Sequence, residues 1–222
     1  MTNACLYSGG KDSTMALHKA SERGIKIDLL ISMLPENKAS YMFHHPNMGF
    51  TRLQAEALSI KQEFVNTRGE KEKELADLES AFKKFDVKLL VTGATYSRYQ
   101  ADRIRKITDK LGIENMAPLW HVDPLAELNE LSGKYEAIIS SVSAEGLDDS
   151  YLGERIDKEM IARLEKANKE YGINMVFEGG EAESFVLDAP LFKKRIVVTK
   201  ARKEWKGNRG MYIIEEAELE KK

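Results

Sequence analysis

What this sequence lacks narrows its chemistry before any motif is read. Of 222 residues, one is a cysteine, Cys5. A single thiol excludes an internal disulfide and a cysteine-built zinc site and fits a reducing compartment. Set inside the first apolar stretch, Cys5 reads as a small buried apolar residue. No apolar run approaches the ~18 residues that a membrane-crossing helix needs, and no basic leader with an apolar core is found. A soluble, cytoplasmic protein without a membrane partner is therefore expected. Neither sign of charge dominates, since 34 Lys and Arg face 36 Asp and Glu for a net charge of −2. With no basic field, stable nucleic-acid binding is not expected. There is also no Pro/Gly/Ser-rich linker, repeat or low-complexity tract.

The length suffices for one good-sized α/β domain, or for a domain and a smaller lobe. Through residues 1–117 apolar strands alternate with amphipathic helices. Strands are expected at 4–7, 25–33, 63–67 and 87–92, and helices at 14–20, 52–60 and 70–85, with a last one marked by Ile104, Ile107 and Leu111 and stopped by Gly112. Such βαβ succession predicts a parallel sheet. Ligands of these sheets gather beyond the carboxyl ends of the strands, which makes Met33 a candidate to flank an adenine and Gly93 a candidate for close backbone approach. From residue 118 the alternation loosens. Residues 118–222 read as a smaller α+β lobe with a helix at 124–131, a strand at 135–142, a helical stripe from Ile156 to Tyr171, and strand-like pieces at 196–199 and 211–214.

Two clusters carry chemistry. Ser8-Gly9-Gly10-Lys11-Asp12-Ser13 joins the first strand to the first helix. Adjacent glycines there let backbone approach an anion, and the N-terminus of the following helix favours one, so a phosphate is the natural occupant. Cys5 stands where a Walker A loop needs its first glycine, and no third glycine completes a dinucleotide fingerprint. The plainer alternative is a capped turn with Lys11 merely solvated. The second cluster places Glu178, Glu181 and Glu183 around Gly179-Gly180, followed by Ser184 and Asp188. Read alone it is a charged turn between strands. Read with the first cluster, Asp12 and one of these glutamates supply the hard oxygen ligands that Mg–ATP chemistry wants. Residues 34–50 have no period, and the adjacent His44 and His45 point opposite ways in an extended chain, which makes a poor metal pair.

The first cluster resembles the SGGKDS signature of the PP-loop (N-type) ATP pyrophosphatases. Together with MFHHPN, QAEALSI, TRGEKEKELADLE, LLVTGATYSRYQADRI, APLW, GLDDSYLGERID and EGGEAESFVLDAP, it makes the chain resemble the diphthine-ammonia ligases in their short archaeal-type form, from residue 6 to about residue 190. Two departures stand out. Ser184 occupies a position that is usually Thr, and Arg98 stands where an acidic residue is common.

The resemblance implies a HUP-like, PP-loop ATP-binding domain at 1–117 and a substrate-binding lobe at 118–222. It implies ATP as substrate, Mg²⁺ as cofactor, and ammonium and elongation factor 2 carrying diphthine as partners; a homodimer is compatible with it. Ser8, Gly9, Gly10 and Ser13 are then expected to hold phosphate, Lys11 to offset developing charge, and Asp12 to hold Mg²⁺. Glu178 and Glu181 are expected to handle metal or ammonium. His44, His45, Asn47, Tyr96, Gln100, Glu183, Ser184 and Asp188 are expected to meet the substrate. A PP-loop tRNA-modifying enzyme and a non-catalytic ATP- or AMP-binding regulator remain the alternatives.

Overall fold

The computed structural model describes residues 1–35, 47–67 and 73–222. The chain divides into two compact units, the first drawing on Met1–Ser8, Asp12–His45 and Ser59–His121, the second on Gly9–Lys11, Pro46–Leu58 and Val122–Lys222.

The first unit holds five strands, β1 (Thr2–Leu6), β2 (Leu29–Pro35), β3 (Lys61–Thr67), β4 (Val87–Val91) and β5 (Glu114–Met116), with helices α1 (Lys11–Glu22), α3 (Lys73–Lys84) and α4 (Arg98–Leu111). The strand order is β3-β2-β1-β4-β5 and every pairing is parallel. This is the expected α/β parallel sheet. β1 is central and apolar, with Ala4 and Cys5 both fully buried, as strands covered on both faces must be. One face of the sheet buries Leu29, Ile31 and Met33 against Leu78 and Phe82 of α3 and Ile104 and Ile107 of α4. Truncating Phe82 to alanine in such a cluster costs about 3–5 kcal/mol. The helix ends follow local chemistry. Ser97 Oγ caps α4 by accepting the Gln100 N–H, and Gly112 closes it at a φ of 66°.

Strand order reverses beside β1: β2 and β3 lie on one side of it, β4 and β5 on the other. In an open parallel sheet that reversal opens a crevice at the strands' carboxyl ends. The chain leaves β1 at Tyr7–Ser8 and β4 at Thr92–Gly93, so these two exits flank the crevice.

The second unit is built on a smaller antiparallel sheet of order β7-β6-β9-β8, from β6 (Glu136–Val142), β7 (Ala182–Asp188), β8 (Lys194–Lys206) and β9 (Arg209–Lys221). Helices α2 (Thr51–Leu58), α5 (Pro124–Lys134) and α6 (Lys158–Tyr171) accompany it. The tail differs from expectation. Instead of short strands at 196–199 and 211–214, β8 and β9 run 13 residues each, joined by Gly207-Asn208. The ribbon buries few side chains, Ile196 on β8 and Ile214 on β9, so no apolar alternation announced its length. Cross-strand ion pairs such as Arg195–Glu220 at 2.7 Å and Lys200–Glu215 at 3.2 Å run along it instead. β5, at three residues, is too short to leave a period. Among the described residues no helix is long and apolar enough to cross a membrane.

Candidate active site

In the second unit, Gly9 of the Ser8–Ser13 loop is fastened to the edge strand β7. The carbonyl oxygen of Gly9 accepts the Val186 N–H at 3.0 Å and the Gln54 side-chain amide at 2.9 Å. The same amide nitrogen reaches the Val186 carbonyl at 2.7 Å. Gln54, on α2, is fully buried and so acts as a piece of strand edge made from a side chain. Gly9 has a φ of 79°, and a Cβ there would lie 2.4 Å from Gln54 Oε1 and 2.7 Å from Thr51 Cγ2. Both conformation and space therefore require glycine.

Lys11 is not solvated. Its backbone N–H donates to Ser184 Oγ at 3.0 Å. Its ammonium lies 2.8 Å from Glu127 Oε1, with the two side chains only 1% and 0% exposed, and 5.9 Å from the centre of the Phe177 ring. Phe177 itself takes a φ of 68°, a conformation that a bulky side chain adopts only when its surroundings impose it. Glu127, Gln54 and Phe177 escaped the sequence reading. The signal for Glu127 was present: it shares one helical stripe with the buried Leu128 and Leu131, where an acid is costly without a partner.

The remaining loop residues belong to the first unit. Ser13 Oγ accepts the Ser8 N–H and lies 3.3 Å from Ser8 Oγ, which folds the two hydroxyls together at the end of β1. Tyr7 and Thr14 hydroxyls pair at 3.1 Å beneath them. Asp12 stands in the first turn of α1. Gly93 sits against this turn, since a Cβ on it would be 2.7 Å from both the Asp12 carbonyl carbon and the Ser13 nitrogen. Tyr96, past the end of β4, stacks on His121 with ring centres 5.2 Å apart. Gln100 lies in the first turn of α4. Met33 lies two residues before the end of β2, its side chain 3% exposed and packed in the core with Leu78 and Phe82.

The glutamate cluster forms a loop closed on itself. Glu181 Oε1 accepts the Asn174 N–H at 2.9 Å, Asn174 Oδ1 accepts that of Val176, and Ser143 Oγ donates to the Gly180 carbonyl at 2.6 Å. One oxygen of Glu181 therefore shapes the loop, while its buried Oε2 has no hydrogen-bond partner among the described residues. Glu178 is half-buried. Glu183 faces Arg209 at 3.7 Å, and Asp188 is paired with Lys222 at 2.6 Å. Among the described residues no group of three His, Cys, Asp or Glu side chains is placed to hold a metal ion.

The Asn47 amide donates to the Tyr212 carbonyl at 3.0 Å and accepts the Ile214 N–H at 2.8 Å, which ties both of its polar ends to β9. His44 and His45 lie outside the described residues.

These features can be set beside known proteins. Residues 1–115 match the family model of the diphthamide synthase N-terminal domain, and residues 123–219 that of the diphthamide synthase C-terminal domain. The chain is 33% identical to the diphthine–ammonia ligase of Homo sapiens, over 89% of this chain and 83% of the human one. It is 34% identical to that of Schizosaccharomyces pombe, over 87% of this chain and 35% of a longer protein. A solved structure described as a predicted subunit of tRNA methyltransferase from Methanocaldococcus jannaschii has a TM-score of 0.45 at 15% identity, covering 86% of this chain and 98% of that one, a likeness too distant to carry an argument. Both halves of the sequence thus match one enzyme family, and the chain belongs to the diphthamide synthase family, whose curated relatives are diphthine–ammonia ligases.

Proposed function

We propose that this chain amidates the carboxylate of diphthine on elongation factor 2, using ammonium and ATP and releasing AMP and pyrophosphate. Ligases join two molecules at the expense of a nucleoside triphosphate, and the Ser8–Ser13 loop is the natural seat for it. The observation that carries this reading is the loop's place at the exit of β1, beside the strand-order reversal, with Gly93 pressed onto its Asp12–Ser13 turn.

A carboxylate does not take ammonia in neutral water, because oxide is a poor leaving group and the anion repels nucleophiles. In the proposed reaction the diphthine carboxylate oxygen attacks the α-phosphorus of ATP. The bond from that phosphorus to the α,β-bridging oxygen breaks, and pyrophosphate leaves with the bonding electrons. Ammonium gives up a proton, and ammonia attacks the acyl carbon of the acyl-adenylate. The bond from that carbon to the phosphate oxygen then breaks, AMP departs, and the nitrogen sheds its surplus proton.

The residues divide this work. The Gly9 and Gly10 backbone and the Ser8 and Ser13 hydroxyls hold phosphate oxygens. Lys11 offsets the charge that develops as pyrophosphate leaves. Glu178 and the free oxygen of Glu181 attract ammonium, and Glu183, Ser184, Tyr96 and Gln100 meet the protein substrate. No three-ligand cage stands among the described residues, but Mg²⁺ needs none when phosphates supply most of its ligands, and Asp12 fits as the single protein carboxylate. When bound, Mg²⁺ neutralises phosphate charge.

Product analysis of ATP turnover tests the reading. AMP and pyrophosphate formed only when ammonium and the diphthine-bearing factor are both present support it. ADP and phosphate, or turnover indifferent to ammonium, overturn it.

A further inference from the structure

We infer that Glu127 is a positioning residue for the reaction: its buried carboxylate fixes the Lys11 ammonium where pyrophosphate departs. The inference rests on the reading of the Ser8–Ser13 loop as the phosphate seat and adds a residue from α5, over a hundred positions away, to its machinery.

A lysine serving only the surface of a glycine loop would keep its ammonium in water. Lys11 is instead 1% exposed, and the partner 2.8 Å away is entirely buried. Removing two charges from water is costly, and a pair in this situation is often no more stabilising than apolar residues of the same volume. Stability alone therefore gives little reason for the pair. Orientation gives a better one. The Lys11 backbone is fixed through Ser184, its carbonyl-side neighbours lead directly into α1, and the long side chain would otherwise sample many rotamers. A carboxylate at the far end, with the Phe177 ring beneath the ammonium, selects one direction.

Glu127 is itself held from behind. Asp123 caps α5 by accepting the Ala126 N–H at 2.9 Å, and Leu128 and Leu131 anchor the helix in the core. The carboxylate is thus presented by a rigid element, as an orienting group must be.

A double-mutant cycle tests this on the full chain, with Glu127→Gln, Lys11→Ala and the double variant compared for steady-state amidation, Mg–ATP binding and thermal melting. Glu127→Gln is expected to lower kcat by roughly 10²-fold while KM for ATP moves by no more than about threefold, since an oriented charge acts mainly in the transition state. Glu127→Asp should recover part of that loss. In the Lys11→Ala background, Glu127→Gln should cost no further activity, and its shift in melting temperature should differ from the one it causes beside Lys11, because the two side chains act through one contact. Equal activity losses in both backgrounds, or a loss confined to KM, would overturn the inference. The melting arm needs no substrate, so it decides the pairing even if wild-type protein shows no amidation and the proposed function falls.

Discussion

Gln54 gives its side-chain amide to the Gly9 carbonyl at 2.9 Å, and Gly9 in turn has no side chain to keep Gln54 away. The same amide satisfies Val186, so one buried glutamine closes the edge of β7 and holds the glycine loop to it. Replacing it by glutamate sets a carboxylate against two carbonyl oxygens. Gln54→Glu should destabilise the protein by about 2 kcal/mol or more, and Gln54→Ala by about 1–3 kcal/mol, each with weakened ATP binding. Urea unfolding and calorimetric titration with Mg–ATP check both.

Gly93 is tested by a single methyl group. A Cβ there would meet backbone atoms of Asp12 and Ser13 at 2.7 Å, and backbone cannot swing aside as a side chain can. Gly93→Ala should cost roughly 1–3 kcal/mol of stability. Its ATP affinity should fall further than that of Gly112→Ala, whose Cβ meets nothing within 4 Å. Melting curves and ATP titrations of the two variants separate close approach from ordinary glycine loss.

Asn47 separates a structural role from a substrate role. Asn47→Ala leaves the Tyr212 carbonyl and the Ile214 N–H without their partner and puts alanine at a φ of 69°. A loss of about 1–3 kcal/mol is expected, with KM for the protein substrate unchanged in the folded fraction. Chemical denaturation beside steady-state kinetics checks it.

Cys5 should be chemically silent. Burial pushes its thiol far above the ordinary value, and the thiolate is the reactive form. Native protein is expected to resist a thiol-reactive dye across neutral pH and to react fully once unfolded. Labelling with and without denaturant reads this directly, and rapid native labelling would contradict the buried placement in β1.

The first unit was legible because its signals are local. Alternating apolar strands, amphipathic helices and the stop at Gly112 all lie within a few residues of what they determine, and β1 to β4 follow from them. The ribbon β8–β9 was legible only around its buried Ile196 and Ile214, since the rest carries cross-strand charge pairs that show no period in one strand. The site divides the same way. Ser8–Ser13 declares itself by spacing, whereas Gln54 and Glu127 act on Gly9 and Lys11 from 45 and 116 residues away. The bonds of Asn47 were illegible for a related reason: it sits in a segment without a period, and they span more than 160 residues. Met33 was read from its strand, while the core contacts of its side chain come from α3.

The central claim is amidation of a carboxylate by this chain, and mass spectrometry of the target reads it most directly. Diphthine-bearing elongation factor 2 is incubated with the protein, Mg–ATP and ¹⁵N-ammonium, and the modified peptide is weighed. The account predicts that the peptide exchanges a carboxyl oxygen for one ¹⁵N atom, in step with AMP release, and that Lys11→Ala slows both by roughly 10²-fold or more. An unlabelled peptide alongside ATP consumption, or full labelling by Lys11→Ala, would contradict it.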